Sequence, residues 1–393
     1  MKRTLLAALS IAAALTSVSA ETVKVGLIAP FSGPYAIYGK SWQEALDVYR
    51  KQHGDEAGGV KIEFVVRDQP DANPAQAKAL AQELLVKEKV QYLAGVQFTP
   101  DAFAIAPLAQ QAKTPFVIFN AATSAIIAKS DYILRSSYTL PQVAVPTAVY
   151  ANEQGAKKIV TMVTDYAPGV DAESTFKRAF EAMGGTVAES IRMPLSTTDF
   201  GPYMQRAKAE APDGIFTFLP GGPPTFAFVK SFQDNGMREA KIRFFGTGET
   251  EEFDLQQLGD QAIGINTTYF YSAAHASKEN DDFKRILAQL HPQAIANPLT
   301  ISGYDGVHII YSMVAATKGV ADGDKAVAAV KGLAWTSPRG SVKIDPTTRD
   351  FVQDIYVRRV ERDPVTKTLI NQEIRTYPLQ PDYGRAGTPL PTK

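Results

Sequence analysis

The sequence contains no cysteine, so neither a disulfide nor a thiolate metal ligand is available, and the fold must be held by its core. Its four histidines, His53, His275, His291 and His308, lie far apart, none with the i, i+4 spacing of a metal pair, and no metal site is expected. No charge of one sign dominates: 41 Lys and Arg stand against 41 Asp and Glu, with no basic run to track a phosphate backbone. Nucleic acid is therefore not an expected partner. Ser32 in "FSGPY" and Ser302 in "ISGYDG" both miss the G-x-S-x-G elbow of a hydrolase, and "GTGETE" lacks the third glycine of a dinucleotide fingerprint. The chain is thus read as no enzyme, with no cofactor.

Long hydrophobic runs are also missing. Lys2 and Arg3 precede an apolar stretch from Leu5 to Leu15, which ends in Val18-Ser19-Ala20. This is too short to span a bilayer, where about 20 apolar residues are needed, and it has the layout of a secretory signal, residues 1–20, cleaved before Glu21. No cysteine near that junction offers a lipid anchor, and no later segment is apolar enough for membrane insertion. An exported protein of the periplasm is expected, a monomer, with enough chain for two lobes.

What is present is an alternation of strand and helix patterns, which predicts an α/β fold with parallel sheets. Val23 to Ile28 is strand-like, and Ser41 with Glu44 reads as a capping box opening a helix whose apolar face is Trp42, Ala45, Leu46 and Tyr49. A strand at Lys61 to Val66 follows, then Asn73-Pro74 starting a helix, a strand at Val90 to Val96, Thr99-Pro100 starting another helix, and a strand at Pro115 to Phe119. The pattern restarts at "KIVTMVTD", with Phe176, Ala179, Phe180 and Met183 on one helix face. Further strands are predicted at Thr186 to Met193, Gly214 to Leu219, Ile242 to Gly246 and Phe351 to Val360. Helices are predicted near Phe200 to Ala209, Thr225 to Gln233, Asp281 to Leu290 and Tyr304 to Thr317. The Pro- and Gly-bearing tail from Tyr377 reads as loop.

In open α/β sheets ligands bind beyond the carboxyl ends of strands, where helix N-termini present free N–H groups. "VKVGLIAPFSGPYAIYGKS" makes such a strand-turn-helix, but Ser32-Gly33-Pro34 has too few glycines to wrap a phosphate. Tyr35 and Tyr38 instead offer aromatic faces, either to a small apolar group or to neighbouring loops. Thr99 brings a hydroxyl and first-turn amides that either face a carboxylate or merely cap their own helix. In "NAATS", Ala121 and Ala122 leave backbone N–H groups accessible and Thr123 adds a hydroxyl. Tyr166 in "TDYAPG", Pro220-Gly221 after "GIFTFL", and Glu249 in "GTGETEE" are the candidates in the second half.

Taken together, "VGLIAPFSGPYAIYGKS", "QYLAGVQFTPDAFAIAPLAQQAKTPFVIFNAATS", "VTDYAPGVDAESTFKRAFEAMGG", "TDFGPYMQRAKAEAPDGIFTF" and "RFFGTGE" resemble, in order and spacing, the branched-chain amino acid binding family among the periplasmic substrate-binding proteins of ATP-driven importers. The resemblance implies two Rossmann-like lobes joined by three crossover segments, residues 21–142 plus 272–342 and 143–271 plus 343–393, closing over a ligand for delivery to a membrane permease. It implies that an aromatic at Tyr38 packs on the ligand, and that the ligand carboxylate is held by backbone amides and Thr123. Members that bind α-amino acids carry a serine-rich loop where this chain has Val96-Gln97-Phe98-Thr99, and an ammonium-binding carboxylate at the position of Gly248, one residue from Glu249. These departures favour an aromatic acid such as a benzoate or phenylpropanoid over an aliphatic branched-chain amino acid. An exported enzyme on the same lobes and a ligand-sensing module are the readings of other classes.

Overall fold

The computed structural model describes residues 22–392, whose strands form two sheets. The signal segment and the cleavage point before Glu21 lie outside the described residues. The first sheet contains β1 (Val23–Ala29), β2 (Glu56–Ala57), β3 (Val60–Asp68), β4 (Tyr92–Gly95), β5 (Phe116–Ile118) and β6 (Ile133–Arg135), in the spatial order β2-β3-β1-β4-β5-β6. All pairs are parallel except the short β2 on the edge. Parallel neighbours require crossovers, supplied here by α1 (Ala36–His53), α2 (Pro74–Val86) and α3 (Thr99–Ala112). The chain leaves β1 toward β3 and then crosses to β4 on the other side, which places a topological switch point between the carboxyl ends of β1 and β4.

The second sheet repeats the device. After α4 (Leu140–Glu153) come β7 (Lys158–Thr164), α5 (Ala167–Ala182), β8 (Thr186–Met193), α6 (Gly201–Ala209), β9 (Gly214–Phe218), α7 (Pro223–Asp234), β10 (Arg243–Gly246), α8 (Glu252–Leu258) and β11 (Asn266–Tyr269). β7 is flanked by β8 and β9, so the second switch point lies between β7 and β9. The chain then returns through α9 (Lys278–Leu290), α10 (Pro298–Thr317) and α11 (Gly323–Val330), of which α9 and α10 pack on α1. It closes with β12 (Ala334–Ser337), β13 (Gly340–Ile344), β14 (Phe351–Arg362) and β15 (Leu369–Gln380), which extend the second sheet antiparallel from β11. β14 spans both cores: Phe351 packs with the first, Val357 and Val360 with the second.

Helix faces predicted from spacing are buried as expected. Trp42, Leu46 and Tyr49 join Val25, Leu27, Phe119 and Val314 in one cluster. Phe176 and Phe180 join Val163 and Phe216 in another, with the Phe176 and Phe216 rings stacked 4.0 Å apart. Burial of each such side chain stabilises the fold by about 1.5–3 kcal/mol.

The helix starts furthest from the sequence reading are those of α1 and α10. α1 begins at Ala36, not Ser41, because the turn at Gly33–Tyr35 runs straight into it. Ser41 is consequently interior and buried, facing Asn297 Nδ2 at 3.4 Å, and Glu44 is no capping partner. α10 begins at Pro298, six residues before the predicted start, under a capping box made by Asn297 and Thr300. Thr99 is the first residue of α3 and Phe98 takes the cap position. α4 was not predicted, because nearly all of it is buried and it shows no polar face. The tail is strand as far as Gln380, and is paired with β14.

Candidate functional site

Both switch points open onto one cleft of about 510 Å³ of free space, open solvent included. Six helices begin at its rim, through Tyr38 of α1, Thr99 of α3, Leu140 of α4, Pro168 of α5, Gly221 before α7 and Glu251, the residue capping α8. Converging N-termini give the cleft a positive potential suited to an anion.

The walls are aromatic. Tyr38 and Phe98, each 5% exposed, come from the first sheet's side, with Tyr35 edge-on to Phe98 at 5.1 Å. From the second sheet's side Tyr166 and Phe218 stack at 6.1 Å with 23° between their planes. Tyr138, on the segment between β6 and α4, and Tyr269, at the end of β11, meet edge-to-face at 4.9 Å. The shape is that of a slot for a flat ring. Burial raises the pKa of the Tyr38, Tyr166 and Tyr269 hydroxyls well above the ordinary phenol value, so all three stay protonated donors. Tyr38 already donates across the cleft to the carbonyl of Pro220 at 3.1 Å.

Of the residues singled out in the sequence, Tyr38, Phe98, Thr99, Ala122, Tyr166, Pro220 and Gly221 line the cleft. Ala121 lies behind it in the core between β4 and α3. Thr123 is buried one layer out: its hydroxyl meets that of Thr99 at 3.1 Å and its carbonyl accepts from Arg135. Glu249 is also withdrawn. Its carboxylate accepts from the amides of Thr247 (2.7 Å), Gly248 (3.0 Å) and Leu219 (3.3 Å), tying the loop after β10 to the end of β9. Burial, offset in part by these bonds, pushes its pKa up to about 7.

Several lining residues went unread. Gln97 is 6% exposed, and neither its amide nitrogen nor its oxygen has a partner among the described residues. It follows Val96, whose φ of 67° is a strained conformation for a β-branched side chain and costs on the order of 1–3 kcal/mol. Bonds from the Val96 amide to Ile28 and from Ala121 to the Val96 carbonyl hold that kink. Glu251 lines the cleft two residues past Glu249, and its Oε2 is buried without a partner among the described residues. "GTGETEE" carries three glutamates, and spacing alone does not say which of them turns inward. Nothing in the sequence separates Tyr138, Phe218 and Tyr269, which also line the cleft, from ordinary core aromatics.

Behind the cleft, Arg339 ties the crossing segments together. It donates to the carbonyls of Ser136 (2.7 Å) and Ser137 (3.1 Å) and to Gln353 Oε1 (2.9 Å), pairs with Asp305 at 2.7 Å, and lies 4.5 Å from the Phe270 ring centroid. Among the described residues no cluster of His, Asp and Glu is arranged to hold a metal, and no helix is long and apolar enough to cross a membrane.

Two parallel α/β units, each with its switch point turned to a shared ring-lined cleft and linked by crossing segments, make a solute-binding protein of the type I periplasmic architecture. The chain belongs to the periplasmic binding protein family, whose model matches residues 22–364. It is 48% identical to "Leu/Ile/Val-binding protein homolog 6" of Brucella abortus (strain 2308), over 98% of this chain and 99% of that one. Among solved structures it is similar to a solute-binding protein of an ABC transporter from Rhodopseudomonas palustris HaA2 in complex with p-hydroxybenzoic acid. That likeness has a TM-score of 0.91 at 50% identity, over 94% of this chain and 100% of the other. A counterpart from R. palustris BisB5, in complex with 3,4-dihydroxybenzoic acid, gives a TM-score of 0.87 at 42% identity over 92% and 99%.

Proposed function

We propose that this protein is the periplasmic solute-binding component of an ABC importer and that it captures a benzoate-type aromatic acid, delivering it unchanged to a membrane permease. The single observation carrying this reading is the slot of Tyr38, Phe98, Tyr138, Tyr166, Phe218 and Tyr269 at the meeting point of helix N-termini. A flat ring is buried between the walls while the anion faces Thr99, the amides of the first turn of α3 and the unpaired Gln97 amide. Thr123 acts one step back, orienting the Thr99 hydroxyl. The solved relatives bound to hydroxybenzoates support the ligand class.

The lobes we propose are residues 21–142 with 272–342 and residues 143–271 with 343–393. The Tyr38 bond to Pro220 and the bond from the Ser124 amide to Asp171 at 3.0 Å then bridge them, so the conformation corresponds to a closed one. Ligand shifts the equilibrium toward closure by contacting both sides.

A second reading, an aliphatic amino acid, is favoured by the Brucella relative's name and by Glu251, a carboxyl able to meet an ammonium. Calorimetry with 4-hydroxybenzoate, benzoate and leucine separates the two. The aromatic reading expects the benzoates to bind, to be recovered unchanged, and to stabilise by about 2.7 kcal/mol at a hundredfold excess over Kd. Tight leucine binding with none for either benzoate overturns it.

A further inference from the structure

We propose that Glu251 selects a hydroxylated ring, its carboxyl accepting the hydrogen bond of a phenolic O–H on the ligand. The inference rests on the aromatic-acid reading and adds the specificity element to it. Glu251 is 5% exposed and lines the cleft, yet its Oε2 has no partner among the described residues. Buried polar atoms in folded proteins are nearly always paired, and an unpaired carboxyl is costly, so the partner is to be sought in what fills the cleft.

Two of the donors near it are otherwise engaged. Arg358 spends its N–H groups on Thr267 Oγ1, the Tyr271 carbonyl and Glu252, and Tyr38 donates to Pro220. Glu249, the nearest acid in sequence, is saturated by loop amides. Gly248 leaves the space in which Glu251 sits: a Cβ there would lie 3.3 Å from Glu251 Oε1 and 3.3 Å from the Tyr269 ring.

A phenol matches this acceptor better than an ammonium does. Desolvation raises the Glu251 pKa well above the usual carboxylate range, with Glu252, Asp254 and Glu249 adding to the rise and Arg358 opposing it. A carboxyl held toward its neutral form binds a cation weakly but still accepts from an O–H. It also spares the anionic end of the ligand a like charge in the same cleft. An unsubstituted ring would leave the carboxyl unpaired, which is the situation in which sites discriminate strongly between ligands differing by one hydroxyl.

The test is calorimetry on the full mature chain with 4-hydroxybenzoate, benzoate and 4-fluorobenzoate, for the wild type, Glu251→Ala and Glu251→Gln. The wild type should prefer 4-hydroxybenzoate over the other two by about 10- to 100-fold, the range of a hydrogen bond to a buried carboxyl. Glu251→Ala should bring the three acids to within about threefold of one another, chiefly by weakening 4-hydroxybenzoate, while Glu251→Gln, which keeps an acceptor oxygen, should retain most of the preference. Equal losses for all three acids would mean that Glu251 serves the anion or the loop, and would overturn the proposal. So would a wild type that binds 4-fluorobenzoate as tightly as 4-hydroxybenzoate, a result that needs no variant to fold. If the acids bind with a ratio indifferent to residue 251, this inference alone fails; if leucine binds and no benzoate does, the functional reading fails with it.

Discussion

Replacing Arg339 by methionine removes the cation at the centre of the crossing segments while keeping much of its volume, and it strands Asp305. Both side chains are completely buried and lie 2.7 Å apart. Without the arginine, Asp305 keeps, among the described residues, two neutral donors, Trp335 Nε1 at 3.0 Å and Ser337 Oγ at 2.9 Å. Breaking a buried pair from one side costs about 3–5 kcal/mol, and the two remaining donors place this case toward the lower end. For roughly 370 structured residues at about 2.1 cal/mol/K each, the unfolding entropy is about 0.8 kcal/mol/K, so Tm should fall by about 4–6 °C. Asp305→Leu added to Arg339→Met removes the stranded charge and should recover at least half of the loss. Denaturant unfolding of the two single variants and the double variant, read as a mutant cycle, measures the coupling. A cost below about 1 kcal/mol for Arg339→Met, or strictly additive losses in the double variant, would refute the argument that this pair holds the crossing segments together.

Glu249, whose pKa is pushed up to about 7 in the fold from an ordinary 4.5, binds its proton more tightly folded than unfolded. Stability therefore declines as pH rises from about 4.5 to 7, by about 3 kcal/mol for this group alone, and levels off above that. Glu249→Gln should flatten the curve over that window in pH-resolved urea titrations, and an unchanged slope would count against it. Gly221 has φ +79°, and a Cβ on it would lie 2.8 Å from the Tyr38 hydroxyl across the cleft. Gly221→Ala should weaken ligand binding by about tenfold through impeded closure, while the ligand-free protein loses only about 1 kcal/mol. Calorimetry and thermal melts check this, and an unaltered Kd would show that the two walls do not approach as described.

Much of the strand and helix framework was readable because parallel strands buried on both faces leave near-continuous apolar runs, as in "KIVTMVTD", and the outer helices leave a 3.6-residue period, as in Phe176, Ala179 and Phe180. That contrast disappears where an element has no solvent on either side. α4 is buried along nearly its whole length, and Pro141 and Pro146 further disguise it. The capping box at Ser41 and Glu44 was a false signal because the pattern is local, whereas the start of α1 is decided by the turn that delivers the chain to it. Seven of the ten residues proposed for the site do line the cleft, since loops at strand ends can be placed once the strands are known.

The sequence by itself determined the fold class, since two successive βα alternations make a two-unit α/β protein, while the binding family was visible only in the resemblance that "VGLIAPFSGPYAIYGKS" and the stretches after it carry. Only the tertiary structure decided which polar groups face the cleft. Glu249 and Glu251 are two residues apart, yet one carboxylate ties down loop amides and the other is left unpaired toward the cleft. That choice depends on the φ and ψ angles of a loop packed against β9 and Tyr269. Thr123 likewise sits behind Thr99, on a loop tied to the Val96 kink by the Ala121 amide. Side-chain direction at a loop is set by contacts distant in sequence, and no periodicity along the chain encodes it.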